Sequence, residues 1–262
     1  MNFENEKNIP AGILVGVSIL FLIAFTLLDI FRVIPVISDG MKLAGIVLCF
    51  LFSIYLLVSI GVDMDRNALM VSFVFAILAD SLLLFTNYYI WGILSFCAVQ
   101  EFHSIRIFSI KKSVVRIDGR IASSYRNYKI RNRLLLLNLV QLAAAGAAYG
   151  VAYLLSAPYR MLLVVSVFYI VGFSANLFNL ARISSDVRLL DDMRPLKAYF
   201  GGMLMYFLCD ILLGVFRIPD YFPVFTGLAK YTSTALLVVW PLYLAGMVLI
   251  ALSGIRRQSY YS

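Results

Sequence analysis

The sequence predicts an all-α fold, a polytopic membrane bundle of about eight transmembrane helices, and three observations carry that reading. Of the 262 residues, 62% are hydrophobic and only 14% are charged, whereas soluble domains run at about a quarter charged. The mean hydropathy is +0.92. Apolar runs long enough to cross about 30 Å of hydrocarbon recur from Ala11 to Ala251. The runs are continuous rather than alternating, which selects helices over the strands of a closed barrel, the other architecture lipid allows.

Taken in order, the spans fall at 11–34, 41–62, 68–86, 89–108, 134–155, 160–181, 198–216 and 231–253. The first follows MNFENEKNIP, whose acidic Glu4 and Glu6, with no small-residue cleavage site after the run, point to a retained span rather than a signal peptide. ISDG precedes the second span, DMDRNA the third, TNYY the fourth and SAPY the sixth. Connections this short predict one compact domain over 1–262, built of antiparallel neighbours. Pro241 allows a kink in the last span. Cys49, Cys97 and Cys209 all lie in apolar runs without metal-ligand spacing and read as packing residues.

The one long connection, 109–133, carries Lys111, Lys112, Arg116, Arg120, Arg126, Lys129, Arg131 and Arg133 against Asp118 alone. With both termini inside, 17 of the 22 lysines and arginines are cytoplasmic, the orientation the positive-inside rule favours. Tyr125 and Tyr128 within this segment raise nucleic-acid binding as a rival. A juxtamembrane basic loop more simply attracts anionic lipid headgroups, at about 1 kcal/mol per residue. The expected location is a bacterial inner membrane.

A charge in hydrocarbon costs about 2.5–3.5 kcal/mol on insertion scales, so each one is a candidate functional residue. Two stand near mid-span. Asp80 lies twelve residues after Ala68 in the third span, and Asp210 twelve after Ala198 in the seventh. At 1.5 Å per residue both sit about 18 Å above the cytoplasmic boundary. Their surroundings, ILADSLLLF and FLCDILLGVF, resemble each other. The chain therefore reads as two weakly related halves, 1–108 and 134–262, in parallel orientation, with a site at their interface. Two carboxylates facing one cavity compete for protons, so that one holds a proton while the other ionises, as acid–base hydrolysis requires. The plainer reading is that each Asp bonds a Ser, Tyr or Asn of a neighbouring helix.

The other polar residues are less specific. Asp29 and Arg32 are spaced to pair at i, i+3. Lys42 either snorkels to the outer interface or meets a phosphate headgroup. His103, the sole histidine, stands with Gln100, Glu101 and Arg106 and reads first as a satisfied packing residue, second as a catalytic one. Asn176, Asn179 and Tyr169 either line the same cavity as the aspartates or join helices. No metal cluster, nucleophile elbow or phosphate loop appears in the sequence.

With these residues in hand, the chain resembles the YhhN-like lysoplasmalogenase family, eight-span bundles with one Asp motif in each half, and the resemblance covers most of the chain. Lys42 in MKLAGIVL matches that family's lysine at the start of span two. Asp80 in AILADSLLL matches its Gly-Asp-x-x-Leu, with Ala79 for the glycine, and YYIWGILSF matches its F-x-x-G-x-x-x-F. GGMLMYFLCDILLGVFRI matches the glycine-led segment ending in Ser-Asp, with Cys209 for the serine, and PLYLAGMVLIALS its Tyr-x-x-Ala-Gln-x-Leu-Ile. The family's His-x-x-Tyr falls on Gln100 and His103, and its final glutamine on Gly246.

The resemblance implies hydrolysis of the vinyl ether bond of lysoplasmalogens, a lysophospholipid substrate, to a fatty aldehyde and a glycerophospho-alcohol, with no cofactor or metal. Asp80 and Asp210 would be catalytic, and Lys42, Gln100, His103 and Asn176 would meet the substrate. The rivals are a proton-coupled transporter using the same carboxylates, and a catalytically inactive lipid-binding relative in which the replaced positions have lost activity.

Overall fold

The computed structural model describes residues 3–31, 34–117, 130–154, 159–186, 194–221 and 232–255. These form eight long helices: α1 (Phe3–Phe31), α2 (Pro35–Ile60), α3 (Met64–Phe85), α4 (Tyr89–Ile117), α5 (Ile130–Leu154), α6 (Arg160–Asp186), α7 (Arg194–Tyr221) and α8 (Thr232–Leu252). A 3-10 turn, Ser253–Ile255, follows α8 directly. Each helix holds a stretch of 19 to 26 residues long and apolar enough to cross a membrane. The protein is a multi-pass, all-helical membrane bundle, as its composition predicts.

The helix ends correct several expected boundaries, for local reasons. ISDG is not a connection but the first turns of α2, because Pro35 stands at the head of the helix, where its fixed φ is pre-set and its missing N–H costs nothing. DMDRNA is mostly helical as well. Asp63 caps α3 by accepting the Arg66 N–H at 2.7 Å, and α2 stops at Gly61, whose φ of +109° an L side chain rarely adopts. The basic segment 109–133 is likewise shorter as a connection than expected. Helix α4 runs on to Ile117 and α5 begins at Ile130, since nothing in SIKKSVVRI breaks a helix once it leaves the hydrocarbon. The remainder of that segment, 118–129, lies outside the described residues.

Six helices form a ring in the order α2, α3, α4, α6, α7, α8, with α8 returning to α2. Helix α1 packs outside it on α2 and α8, and α5 packs outside it on α6 and, more lightly, α4. Every helix–helix contact in the first half has a counterpart four helices on. The pairs α1/α2, α2/α3 and α3/α4 answer to α5/α6, α6/α7 and α7/α8, and across the halves α4/α6 answers to α8/α2 and α4/α5 to α8/α1. Among the described residues, helix contacts thus recur with a period of four helices.

Helices α7 and α8 approach backbone to backbone. A Cβ added at Gly202 would lie 2.6 Å from the Gly246 carbonyl oxygen and 2.9 Å from the Ile250 nitrogen, the close contact that small residues permit in lipid. Gly202→Ala should therefore destabilise the protein by about 1–3 kcal/mol, read as a lower midpoint of thermal unfolding in detergent. Gly146→Ala, with nothing within 4 Å of the new methyl, should not.

Candidate active site within the membrane

Asp80 follows the first residue of α3, Met64, by sixteen positions, and Asp210 follows the first residue of α7, Arg194, by the same sixteen. Both carboxylates therefore stand about 24 Å along their helices. The matched depth holds, although each helix begins four residues earlier than the sequence suggests. Asp80 sits on the buried face of α3 with Leu69, Phe73 and Ala76, and Asp210 continues the face of α7 that carries Tyr199, Met203 and Tyr206. These are the three- and four-residue spacings that stack side chains on one helix face.

Each carboxylate accepts a hydrogen bond from a tyrosine. Tyr243 Oη on α8 donates to Asp80 at 2.8 Å, and Tyr169 Oη on α6 donates to Asp210 at 2.5 Å. The two are joined through a third tyrosine. The Tyr206 ring lies 5.2 Å from that of Tyr243, and its hydroxyl neighbours that of Tyr169. Phe96 of α4 packs among all three, with ring centroids 6.1, 6.0 and 6.4 Å from Tyr169, Tyr206 and Tyr243. Phe173 meets Tyr206 edge-on at 4.8 Å. Such offset and edge-to-face packing fixes ring positions and hence the hydroxyls they carry.

Lys42 is buried and does not snorkel. Its Nζ lies 3.0 Å from Asp29 and 3.0 Å from Asp39, and 5.3 Å from the centre of the Trp240 ring. Trp240 in turn lies 5.5 Å from Tyr243, so the lysine cluster abuts the Asp80 side of the site. Among the described residues, the partners of Asp29 are Lys42 and Ser38, supplied when α2 folds back on α1. Arg32, its expected partner, lies outside the described residues.

Gln100, His103 and Asn176 belong to a different level. Gln100 is eleven residues from the start of α4 and Asp80 five from the end of α3, which places Gln100 about 9 Å further from the membrane face on which those ends lie. Asn176 donates to the Gln100 carbonyl at 2.8 Å and its side-chain oxygen at 3.2 Å, and accepts from Ser104 at 2.7 Å. His103 Nδ1 meets Tyr199 Oη at 3.0 Å, a buried and satisfied histidine, as its first reading holds. Arg106, fully buried, bonds Asp65 at 2.8 Å and the Ile250 carbonyl at 3.3 Å and lies over the Tyr199 ring at 4.1 Å. The aspartates do not share the cavity of Asn176 and Asn179. That cavity, about 20 Å³, is lined also by Ser104, Ile107, Phe108, Leu134 and Leu137, and it has room for about one water.

Of the predicted site residues, Asp80 and Asp210 come together through tyrosines, and Lys42 lies one aromatic ring away. Tyr206 and Tyr243 enter the sequence reading only inside quoted motif segments and are not named there as site residues, although Tyr206 carries one signal, its i, i+4 spacing to Asp210. Among the described residues, no group of three or more His, Cys, Asp or Glu is gathered as a metal ion would need. Chemically, the arrangement offers two carboxylates, each with a phenol donor, beside an aromatic cluster; Asp80 is buried and Asp210 partly buried. No family model matches the chain, and neither a curated protein nor a solved structure does.

Proposed function

We propose that this chain is a membrane-embedded ether-bond hydrolase of the lysoplasmalogenase type, cleaving the vinyl ether of lysoplasmalogens to a fatty aldehyde and a glycerophospho-alcohol. The observation that carries the reading is the pair of carboxylates at one register on α3 and α7, each set by a tyrosine hydroxyl. A vinyl ether is acid-labile, and an acid–base pair within the bilayer meets it where its alkenyl chain resides.

In the proposed reaction one aspartic acid protonates the outer alkenyl carbon, leaving an oxocarbenium ion, the kind of cation that paired carboxylates also handle in glycoside hydrolysis, where the proton goes instead to the leaving oxygen. Water adds to the carbon beside the oxygen and gives its proton to the second aspartate. The resulting hemiacetal collapses: its hydroxyl proton returns to the first carboxylate, the carbon–oxygen bond to glycerol breaks, and the glyceryl oxygen takes the proton held by the second. Both carboxyls are restored, and one water is consumed. Lys42, committed to Asp29 and Asp39, is assigned to holding α1, α2 and α8 about the site rather than to the phosphate. The basic bias of the sequence sets both termini in the cytoplasm of a bacterial cell, with the 109–133 segment against anionic headgroups. Purified protein given a lysoplasmalogen should release aldehyde in proportion to enzyme. No release at any pH would refute the assignment.

One observation favours a second reading, proton-coupled transport: the run of phenols Tyr169, Tyr206 and Tyr243 connects the two carboxylates as a relay would. That reading predicts solute flux driven by a proton gradient in proteoliposomes, with no aldehyde formed.

A further inference from the structure

We infer that Tyr206 is a third group of the site that touches the substrate, its hydroxyl donating a hydrogen bond to the glyceryl oxygen of the vinyl ether between the two carboxylates. This assignment rests on the hydrolase reading. Each of the three phenols has one O–H to give. That of Tyr243 goes to Asp80 and that of Tyr169 to Asp210. Tyr206 Oη, in a fully buried side chain, has the Tyr169 hydroxyl as its neighbour, but completes no hydrogen bond of regular geometry among the described residues.

Packing does not ask for that hydroxyl. Phe96 and Phe173 fill the same cluster as phenylalanines, and a buried hydroxyl left unpaired forfeits its hydration with no return. The position suits the chemistry: Tyr206 shares a helix face with Asp210 at i, i+4 and lies ring to ring with the tyrosine that holds Asp80. When the hemiacetal collapses, negative charge gathers on the departing glyceryl oxygen until it takes its proton from the carboxyl that accepted it from water. A phenol donor aimed at that oxygen stabilises this charge and itself loses no proton.

The test is Tyr206→Phe in the purified full chain, assayed with lysoplasmalogen beside wild type, Tyr169→Phe and Tyr243→Phe. Expected for Tyr206→Phe is a loss in kcat of about tenfold or more, with an unchanged pH–rate profile and a thermal midpoint equal to or above that of wild type. A saturated alkyl-ether lysolipid, which keeps the glyceryl oxygen but cannot be hydrolysed, should bind it about fivefold more weakly. Tyr169→Phe and Tyr243→Phe, which strip a hydrogen bond from a carboxylate, should displace the pH–rate profile. Wild-type turnover and affinity in Tyr206→Phe would overturn the assignment, as would an activity loss matched by a lowered thermal midpoint. A wild-type protein that releases no aldehyde would overturn the hydrolase reading itself and this assignment with it.

Discussion

Asp80→Asn and Asp210→Asn should each lower aldehyde release by at least about a hundredfold while leaving the thermal unfolding midpoint near that of wild type. Asparagine has the size of aspartate and keeps an oxygen to accept from Tyr243 or Tyr169, so the bonds that set the site survive. What is removed is the capacity to give or take a proton. In the proposed reaction the two carboxylates act in alternation, so the double variant should lose little more than either single one. Aldehyde release measured on detergent-purified protein decides the matter, and full activity in both single variants would eliminate the mechanism. Loss in only one would assign all proton transfer to that carboxylate.

Arg106→Met is expected to be the most destabilising single change in the inner half of the bundle, at about 3–5 kcal/mol. From α4 the guanidinium reaches Asp65 on α3, the Ile250 carbonyl on α8 and the Tyr199 ring on α7. Its removal strands the Asp65 carboxylate, nearly buried beside it, while the Ile250 carbonyl keeps its bond from Ser253 Oγ at 2.6 Å. Asp65→Leu combined with Arg106→Met should recover much of the loss, because an apolar pair of similar volume replaces a buried ion pair at little net cost. Denaturation in mixed micelles would show this. An Arg106→Met midpoint shift worth less than about 0.5 kcal/mol, the scale of an inert surface change, would deny the four-helix tie.

The sequence displays Asp80 and Asp210 one residue at a time, because a charge inside an apolar run needs no partner to be noticed. Their common depth needs only counting along two helices. The tyrosines are another matter. The chain has 16 of them, a residue equally at home in a core, at a membrane interface or in a loop, and nothing local separates Tyr243 from Tyr149. Asp29 shows the same limit from the other side: Lys42, which binds it, arrives from the next helix, thirteen positions on. Gln100 and His103 attach to the site in sequence through motif order, and Asn176 only as a polar residue within a span. The packing of α4 on α6 and α7 settles them a level away. The helix ends at Pro35 and Asp63 were readable from cap chemistry, which a hydropathy count overlooks.

The bond between Tyr243 and Asp80 spans 163 positions of chain, and this bears on how the protein is made. At roughly 5–20 residues per second of synthesis, α3 and its aspartate emerge on the order of ten seconds before α8 exists. Asp210 waits for nothing, since Tyr169 precedes it by 41 positions. During that interval Asp80 depends on the apolar residues of its own helix to keep α3 in the bilayer. Biogenesis therefore completes the aspartate pair last: an incomplete chain carries one finished carboxylate and one unfinished, and the arrangement comes into being only when the final helix docks.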